Sequence, residues 1–144
     1  ELIADSIHGH PALFGLFYRM KGNHTVLITD CTRAGGLEEG EYSLGGQPIF
    51  VKNGVCRLGD GTIAGSVLTM NRAVYHFHRN AGIPLWQAVR CASLNPAVSI
   101  GMEDRKGSLE AGKDADIILL DEEMRIHGAA RKGTWFSVSA RDEK

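Results

Sequence analysis

Two histidines, one aspartate and a glycine-rich loop are the residues whose types and spacing could support chemistry in this chain. His8 and His10 follow a short apolar run at 2–4 and are separated by one glycine. On an extended segment, side chains two positions apart point to the same side, as a pair of metal ligands requires. The spacing leaves three interpretations open: a metal-binding pair, one histidine that contacts a ligand, and two loop histidines without a role.

Asp30 ends the run Thr-Val-Leu-Ile-Thr at 25–29, which has the length and composition of a buried strand. A lone carboxylate at the end of such a strand is well placed for proton transfer, because burial or a nearby metal ion can tune its pKa. The alternative is an aspartate that caps the following loop, since Asp is common at such junctions. Position alone does not separate the two.

The glycine-rich segment 59–66 is predicted to lead into a helix, where backbone N–H groups could bind an anion or a sugar oxygen. Its spacing fits neither a Walker A loop nor a dinucleotide-binding fingerprint, and Ser66 could simply be the helix N-cap. His76 and His78 lie two apart on a predicted helix and therefore point apart. We expect them to be surface or groove residues.

A strand, a helix and a second strand must position the first two candidates. The runs 2–4 and 25–29 are predicted strands, and between them a helix opens at Pro11 and stops at Gly22. This order is typical of a βα unit with a parallel sheet, in which ligands gather beyond the carboxyl ends of the strands. The helix is expected to pack into the core through four side chains: Phe14, Phe17, Tyr18 and Met20.

The middle of the chain predicts a small antiparallel excursion, because short apolar runs alternate with glycine pairs and an Asn53-Gly54 turn signal. Helical spacing returns from Met70 to Phe77 and is ended by Gly82. A further helix opens at Pro84 and is closed by Asn95-Pro96.

The last third of the chain is predicted to return to strands. The apolar run 117–120 is expected to be a strand covered on both faces. One or two more strands are predicted after Ile126, and the tail 141–144 is expected to be solvated and frayed.

Composition excludes several classes of protein. The 17 acidic and 16 basic side chains nearly balance, which removes the electrostatic case for a nucleic-acid or anionic-membrane binder. No apolar run approaches the ~20 residues of a membrane span, and the start lacks the features of a signal peptide. The three cysteines lack Cys-x-x-Cys spacing, which favours reduced thiols in a cytosolic protein. A compact chain of this mass should expose roughly 7,000 Å².

Several stretches, read in order, resemble one family, the N-acetylglucosamine-6-phosphate deacetylases of the amidohydrolase superfamily. The matching stretches are 2–8, 26–30, 61–66 with 68–70, 92–97 and 106–116. The last is shared by many amidohydrolases and identifies only the superfamily, whereas the first three are more specific. The resemblance covers nearly the whole chain but only the C-terminal portion of the family.

The resemblance implies an α/β fold that is the C-terminal part of a metal-dependent hydrolase (β/α)8 barrel, or TIM barrel, plus part of a small β-sandwich. Residues 1–105 would form the C-terminal segment of the barrel, with a β-hairpin excursion at about 36–62. Residues 106–140 would form the β-sandwich segment.

The resemblance also implies roles for individual residues. Asp30 would be catalytic, taking a proton from a metal-bound water and delivering it to the departing amine. His8, Ile63, Ala64 and Gly65 would bind substrate. No residue of this chain is implied as a metal ligand, because the family's Glu and two His ligands for zinc or a similar divalent metal lie upstream. The family usually has Gly where Ser6 stands and commonly Ala where Cys31 stands.

The function implied is hydrolytic deacetylation of N-acetylglucosamine 6-phosphate to glucosamine 6-phosphate and acetate, in cytoplasmic amino-sugar catabolism. The expected partner is this small sugar phosphate, with no nucleic acid or membrane, and the full-length enzyme is expected to be a homodimer. The chain alone is expected to be a partial, inactive enzyme. The alternatives are another metal-dependent amidohydrolase, such as a cyclic amidase or deaminase, and a non-catalytic sugar-phosphate-binding or structural module.

Overall fold

The computed structural model describes residues 1–137, so the predicted tail at 141–144 and the end of the predicted sandwich segment lie outside the described residues. A 3-10 turn at Pro11–Leu13 leads into the first helix. The four α-helices of the described part are α1 (Phe14–Lys21), α2 (Met70–Ala81), α3 (Leu85–Ala92) and α4 (Leu94–Ser99). Its strands are β1 (Leu2–Ile3), β2 (Leu27–Ile28), β3 (Gly40–Leu44), β4 (Gln47–Lys52), β5 (Val55–Leu58), β6 (Ile117–Leu120), β7 (Ile126–Arg131) and β8 (Thr134–Ser137).

The predicted βα unit is confirmed. Strands β1 and β2 pair in parallel, with Leu2 opposite Leu27, and α1 lies between them in the sequence. Each strand is only two residues long, so the runs 2–4 and 25–29 exceed the paired segments. The carboxyl ends of β1 and β2 therefore lie side by side at one edge, where the segments containing His8 and Asp30 begin.

The main core is formed where β2, α1 and the α2–α3 pair meet. Phe14, Leu27 and Phe77 are almost fully buried, and the rings of Phe14 and Phe77 lie 6.1 Å apart. Helix α2 ends as predicted at Gly82, whose φ of 65° is the left-handed conformation that glycine adopts without a steric penalty. Burial raises the pKa of the Cys91 thiol to about 11, so this side chain behaves as a small apolar core residue.

Two helix predictions are corrected. Asn95-Pro96 does not close α3, because α3 ends at Ala92 and both residues belong to the first turn of α4. A proline is tolerated there because the N–H it lacks would have no intrahelical acceptor. Met20 is not a core residue, since its side chain is 74% exposed. Phe14, on another face of α1, is buried as expected.

The predicted antiparallel excursion is confirmed as the three-stranded sheet β3–β4–β5. Asn53 and Gly54 connect β4 to β5 and both have positive φ, 52° and 70°, as a two-residue hairpin turn requires. Ile49, Val51 and Cys56 form a second small core on one face of this sheet.

The C-terminal sheet β6–β7–β8 is antiparallel, and the expectation that β6 is covered on both faces is wrong. Ile118 and Leu119 are 59% and 54% exposed, because no layer of the described residues packs over them. The chain exposes 9523 Å², well above the roughly 7,000 Å² expected for a compact chain of this mass. Within residues 1–137, no helix has the length and apolar character needed to cross a membrane.

Candidate active site

Asp30 is an exposed residue that lies two positions beyond the end of β2. Its backbone is held by a short parallel bridge, in which the Ser66 N–H donates to the Asp30 carbonyl at 2.8 Å. The Thr32 N–H donates to the Ser66 carbonyl at the same distance. Asp30 has a φ of 47°, a left-handed conformation that Asp tolerates better than most residues. The bridge therefore fixes a strained residue at the edge of the sheet.

Gly65 packs directly against Asp30. With a φ of 83°, it lies so close that a Cβ here would stand 2.9 Å from the Thr32 methyl and 3.1 Å from the Asp30 carbonyl oxygen. The same atom would be 3.5 Å from the Asp30 carboxylate oxygen Oδ2. The structure thus brings together Asp30 and Gly65, two of the residues that the sequence singled out.

Ile63 and Ala64 lead the chain into this contact along the edge of β5. Ile63 forms an antiparallel bridge with Arg57, and the Ala64 N–H donates to the Cys56 carbonyl at 3.0 Å. Both residues are half-buried. The sheet β3–β4–β5 therefore positions the loop 63–65 next to Asp30.

The prediction that the glycine-rich segment opens a helix is wrong. Helix α2 begins only at Met70, with Thr69 as its N-cap. Ser66 is buried and does not cap the helix; its hydroxyl donates to the Thr29 carbonyl and accepts from the Leu68 N–H. The segment 59–66 thus ends in a strand bridge, which removes the argument for an anion at a helix start.

His8 is held by Asp5. The ring nitrogen Nδ1 of His8 lies 2.7 Å from Asp5 Oδ2, and Asp5 Oδ1 accepts from the backbone N–H groups of Ile7 and His8. Burial alone would raise the pKa of Asp5, but the hydrogen bonds from His8 and Ile7 outweigh it and hold that pKa below its usual value. Ser6, inside the turn, has a φ of 65°.

His8 and His10 have different environments, and the extended segment predicted for them is absent, because residues 5–9 form successive bends. The His10 ring accepts from the Ala12 N–H at 3.3 Å and caps the turn Pro11–Leu13. Over residues 1–137, no three His, Cys, Asp or Glu side chains lie close enough together to hold a metal ion.

His76 and His78 are half-buried and serve the packing of α2. His76 bonds through Nδ1 to the Ala4 carbonyl, and His78 bonds through Nδ1 to the Ile83 carbonyl. His76 also borders a cleft of about 470 Å³, so the expectation of a groove residue is confirmed for it.

Asp5 is a residue of this site that the sequence did not single out. It was included only as part of the matching stretch 2–8. Its spacing of three residues before His8 is the signal that could have identified it, since Asp side chains commonly accept hydrogen bonds from N–H groups two and three residues later. Asp5 also lines the cleft next to His76.

Comparison with known proteins supplies the family. A sequence model described as the amidohydrolase family matches residues 50–141. The chain belongs to the amidohydrolase family. Amidohydrolases generally use a divalent metal.

Relatives of this amidohydrolase chain are deacetylases. An N-acetylglucosamine-6-phosphate deacetylase of Vibrio furnissii is 40% identical over 133 residues, which are 92% of this chain and 33% of that protein. An N-acetylgalactosamine-6-phosphate deacetylase of Escherichia coli O157:H7 is 37% identical over 126 residues, 88% of this chain and 33% of that protein. This amidohydrolase chain thus spans about a third of the length of these curated relatives.

A solved structure has the same architecture. It is a mutant N-acetyl-D-glucosamine-6-phosphate deacetylase of Mycobacterium smegmatis in complex with N-acetyl-D-glucosamine-6-phosphate. The match has a TM-score of 0.86 at 36% identity and covers 93% of this chain and 36% of that one. The mixed α/β fold predicted from sequence, part of an amidohydrolase barrel and β-sandwich, is therefore confirmed. The domain boundary after residue 105 stays a prediction.

Proposed function

We propose that the complete protein carrying this amidohydrolase chain hydrolyses N-acetylglucosamine 6-phosphate to glucosamine 6-phosphate and acetate, in cytoplasmic amino-sugar catabolism. The observation that carries the proposal is the close approach of the Gly65 backbone to Asp30 at the carboxyl end of β2, beside the strand β1 that leads to His8. The 40% identity to a curated deacetylase of this substrate supports it.

Asp30 is assigned the proton transfers. Its carboxylate takes a proton from water as the water oxygen bonds to the acetamide carbonyl carbon. The proton then passes to the nitrogen as the C–N bond breaks, which releases the amine and acetic acid and leaves the carboxylate as it began. The acetic acid gives up the second water proton in solution and becomes acetate. An exposed carboxylate whose backbone is fixed by the Ser66 bridge suits both steps, because it is accessible to substrate and held in one position.

Substrate binding is assigned to His8 and to the loop of Ile63, Ala64 and Gly65. The His8 ring uses Nδ1 toward Asp5 and leaves Nε2 to accept a hydrogen bond from a hydroxyl group of the sugar. The loop residues offer backbone groups beside Asp30, and Gly65 allows the chain to approach the carboxylate without a side chain between them.

The residues described here do not by themselves form a metal site. The proposal therefore places the ligands of zinc or a similar divalent metal in parts of the complete protein outside this chain. It also assigns residues 1–105 to the barrel, with the hairpin excursion at about 36–62, and 106–140 to the β-sandwich, and expects a homodimer.

Replacement of Asp30 by Asn in the complete protein tests the catalytic assignment. Asn keeps the shape but cannot accept the proton, so kcat should fall by about 10²- to 10⁴-fold with little change in sugar-phosphate binding. Steady-state kinetics and calorimetry measure the two effects. Asp104→Asn, at an exposed turn, is the matched control and should leave kcat unchanged. Full turnover by Asp30→Asn would rule out the assigned role.

A second candidate substrate is N-acetylgalactosamine 6-phosphate, favoured by the 37% identity to a deacetylase named for it. The two sugars differ only in the configuration at C4, so the ratio of their kcat/KM values in the complete protein decides between them. A larger kcat/KM for the galactosamine derivative would replace the first candidate.

A further inference from the structure

The two carboxylate oxygens of Asp5 make different contacts in the turn that leads to His8. Oδ1 accepts the N–H groups of Ile7 and His8 at 2.9 and 3.0 Å and so holds the backbone turn. Oδ2 lies 2.7 Å from the His8 ring nitrogen Nδ1. The two oxygens of one carboxylate therefore hold the backbone and the ring of the same short segment, and they can be tested separately.

The contact with Oδ2 fixes where the ring proton lies. An ionised carboxylate only accepts hydrogen bonds, so Nδ1 must carry the proton in this pair. The Asp5 side chain is only 7% exposed and that of His8 is 24% exposed, which limits competition from water. The pKa of Asp5 lies below its usual value, so the carboxylate stays ionised at neutral pH.

We propose that Asp5 is a positioning residue for substrate binding, which acts through the His8 ring by holding its proton on Nδ1 and presenting Nε2 as an acceptor to a hydroxyl group of the sugar. The inference rests on the proposed function, because it takes His8 as a substrate contact. Hydrogen-bonded carboxylates fix the tautomer and orientation of histidine rings in the same way at metal sites.

Asp5→Asn is the informative substitution because it keeps a carbonyl oxygen for the turn. The amide nitrogen then faces Nδ1 as a donor, so Nδ1 must become an acceptor and the ring proton moves to Nε2. The turn is preserved while the ring tautomer is reversed.

A double-mutant cycle in the complete protein measures whether Asp5 acts through the ring. In the wild-type background, Asp5→Asn should raise KM for N-acetylglucosamine 6-phosphate by about 3- to 10-fold, the size of a neutral hydrogen bond, and change kcat less. In a His8→Ala background, the same substitution should raise KM by no more than about twofold. An equal rise in both backgrounds would overturn the inference, because Asp5 would then act through the turn alone.

Imidazole 15N NMR of the complete protein gives a readout that does not depend on activity. The His8 signals, assigned with His8→Gln, should show a protonated Nδ1 in the wild type and the proton moved to Nε2 in Asp5→Asn. An unprotonated Nδ1 in the wild type at neutral pH would refute the inference even if Asp5→Asn failed to fold.

The two proposals fail in different ways. A wild-type protein that hydrolyses neither acetylated sugar phosphate, with Nδ1 protonated, would refute the proposed function and leave the Asp5–His8 pairing intact. A protein that hydrolyses the sugar but fails the cycle would refute the role of Asp5 and leave the proposed function standing.

Discussion

The main core and the C-terminal sheet use similar apolar residues with opposite results. Around β2 and α2, Phe14, Leu27 and Phe77 are buried almost completely. In the sheet β6–β8, Ile118 and Phe136 stay 59% and 54% exposed. The difference is that two helices pack over β2, whereas no layer of the described residues covers β6–β8.

The two regions are consequently held together by different forces. Apolar burial stabilises the core, while the C-terminal sheet relies on its backbone ladders and on polar contacts at its first residues. Lys106 bonds to Asp114 and Asp116, which holds the pKa of Asp116 below its usual value. Asp116 also accepts the Lys132 N–H at 2.8 Å. An apolar strand sequence thus predicts a strand but not its burial.

The largest test of this comparison replaces one phenylalanine in each region of the 144-residue chain. Phe77→Ala should lower the free energy of unfolding by about 3–5 kcal/mol, because it leaves a cavity in a closed core. Phe136→Ala is the matched variant and should cost less than about 1 kcal/mol. Urea unfolding followed by circular dichroism measures both. Equal losses would show that the two regions are packed alike.

An intermediate effect is expected where the packed region meets the candidate site. Gly65→Ala and Gly61→Ala both place a side chain at positive φ, 83° and 90°, but only the first meets other atoms. Gly65→Ala should therefore cost about 1–3 kcal/mol more in unfolding free energy than its control. It should also lower kcat of the complete protein by up to about 100-fold, because it displaces Asp30.

Similar stability and kcat in these two variants would mean that the close contact between Gly65 and Asp30 is not maintained in solution. The edge of the packed region would then be as open as the exposed turn at Gly61.

The smallest effect concerns strain at the same edge. Ser6 has a φ of 65°, in the left-handed region that glycine adopts without a steric penalty. Ser6→Gly should raise the free energy of unfolding by about 1 kcal/mol, the left-handed penalty less the added flexibility of the unfolded chain. Ser43→Gly, in strand β3, should instead lower it by about 0.5–1 kcal/mol. A loss for Ser6→Gly in urea unfolding would contradict the strain assigned to this turn.

Local signals predicted much of the fold because neighbouring residues decide them. The end of α2 at Gly82 and the hairpin turn at Asn53-Gly54 were both predicted correctly. Each depends on the backbone conformation of these residues themselves. The prediction that Asn95-Pro96 closes α3 was wrong because a proline can follow the end of one helix or lie in the first turn of the next. The prediction that Met20 is a core residue was wrong because helical spacing identifies an apolar face but not what covers it.

The candidate site likewise has features that the sequence predicted and features that only the structure shows. The sequence alone singled out Asp30 at a strand end and the glycine-rich loop, because composition and turn residues mark such positions. Only the tertiary structure brought Gly65 against Asp30, through a bridge between Cys31 and Ser66 that joins distant parts of the chain. Only the structure shows that His8 contacts Asp5 and that His10 caps a turn. The direction of each side chain depends on backbone dihedral angles, which residue spacing does not specify.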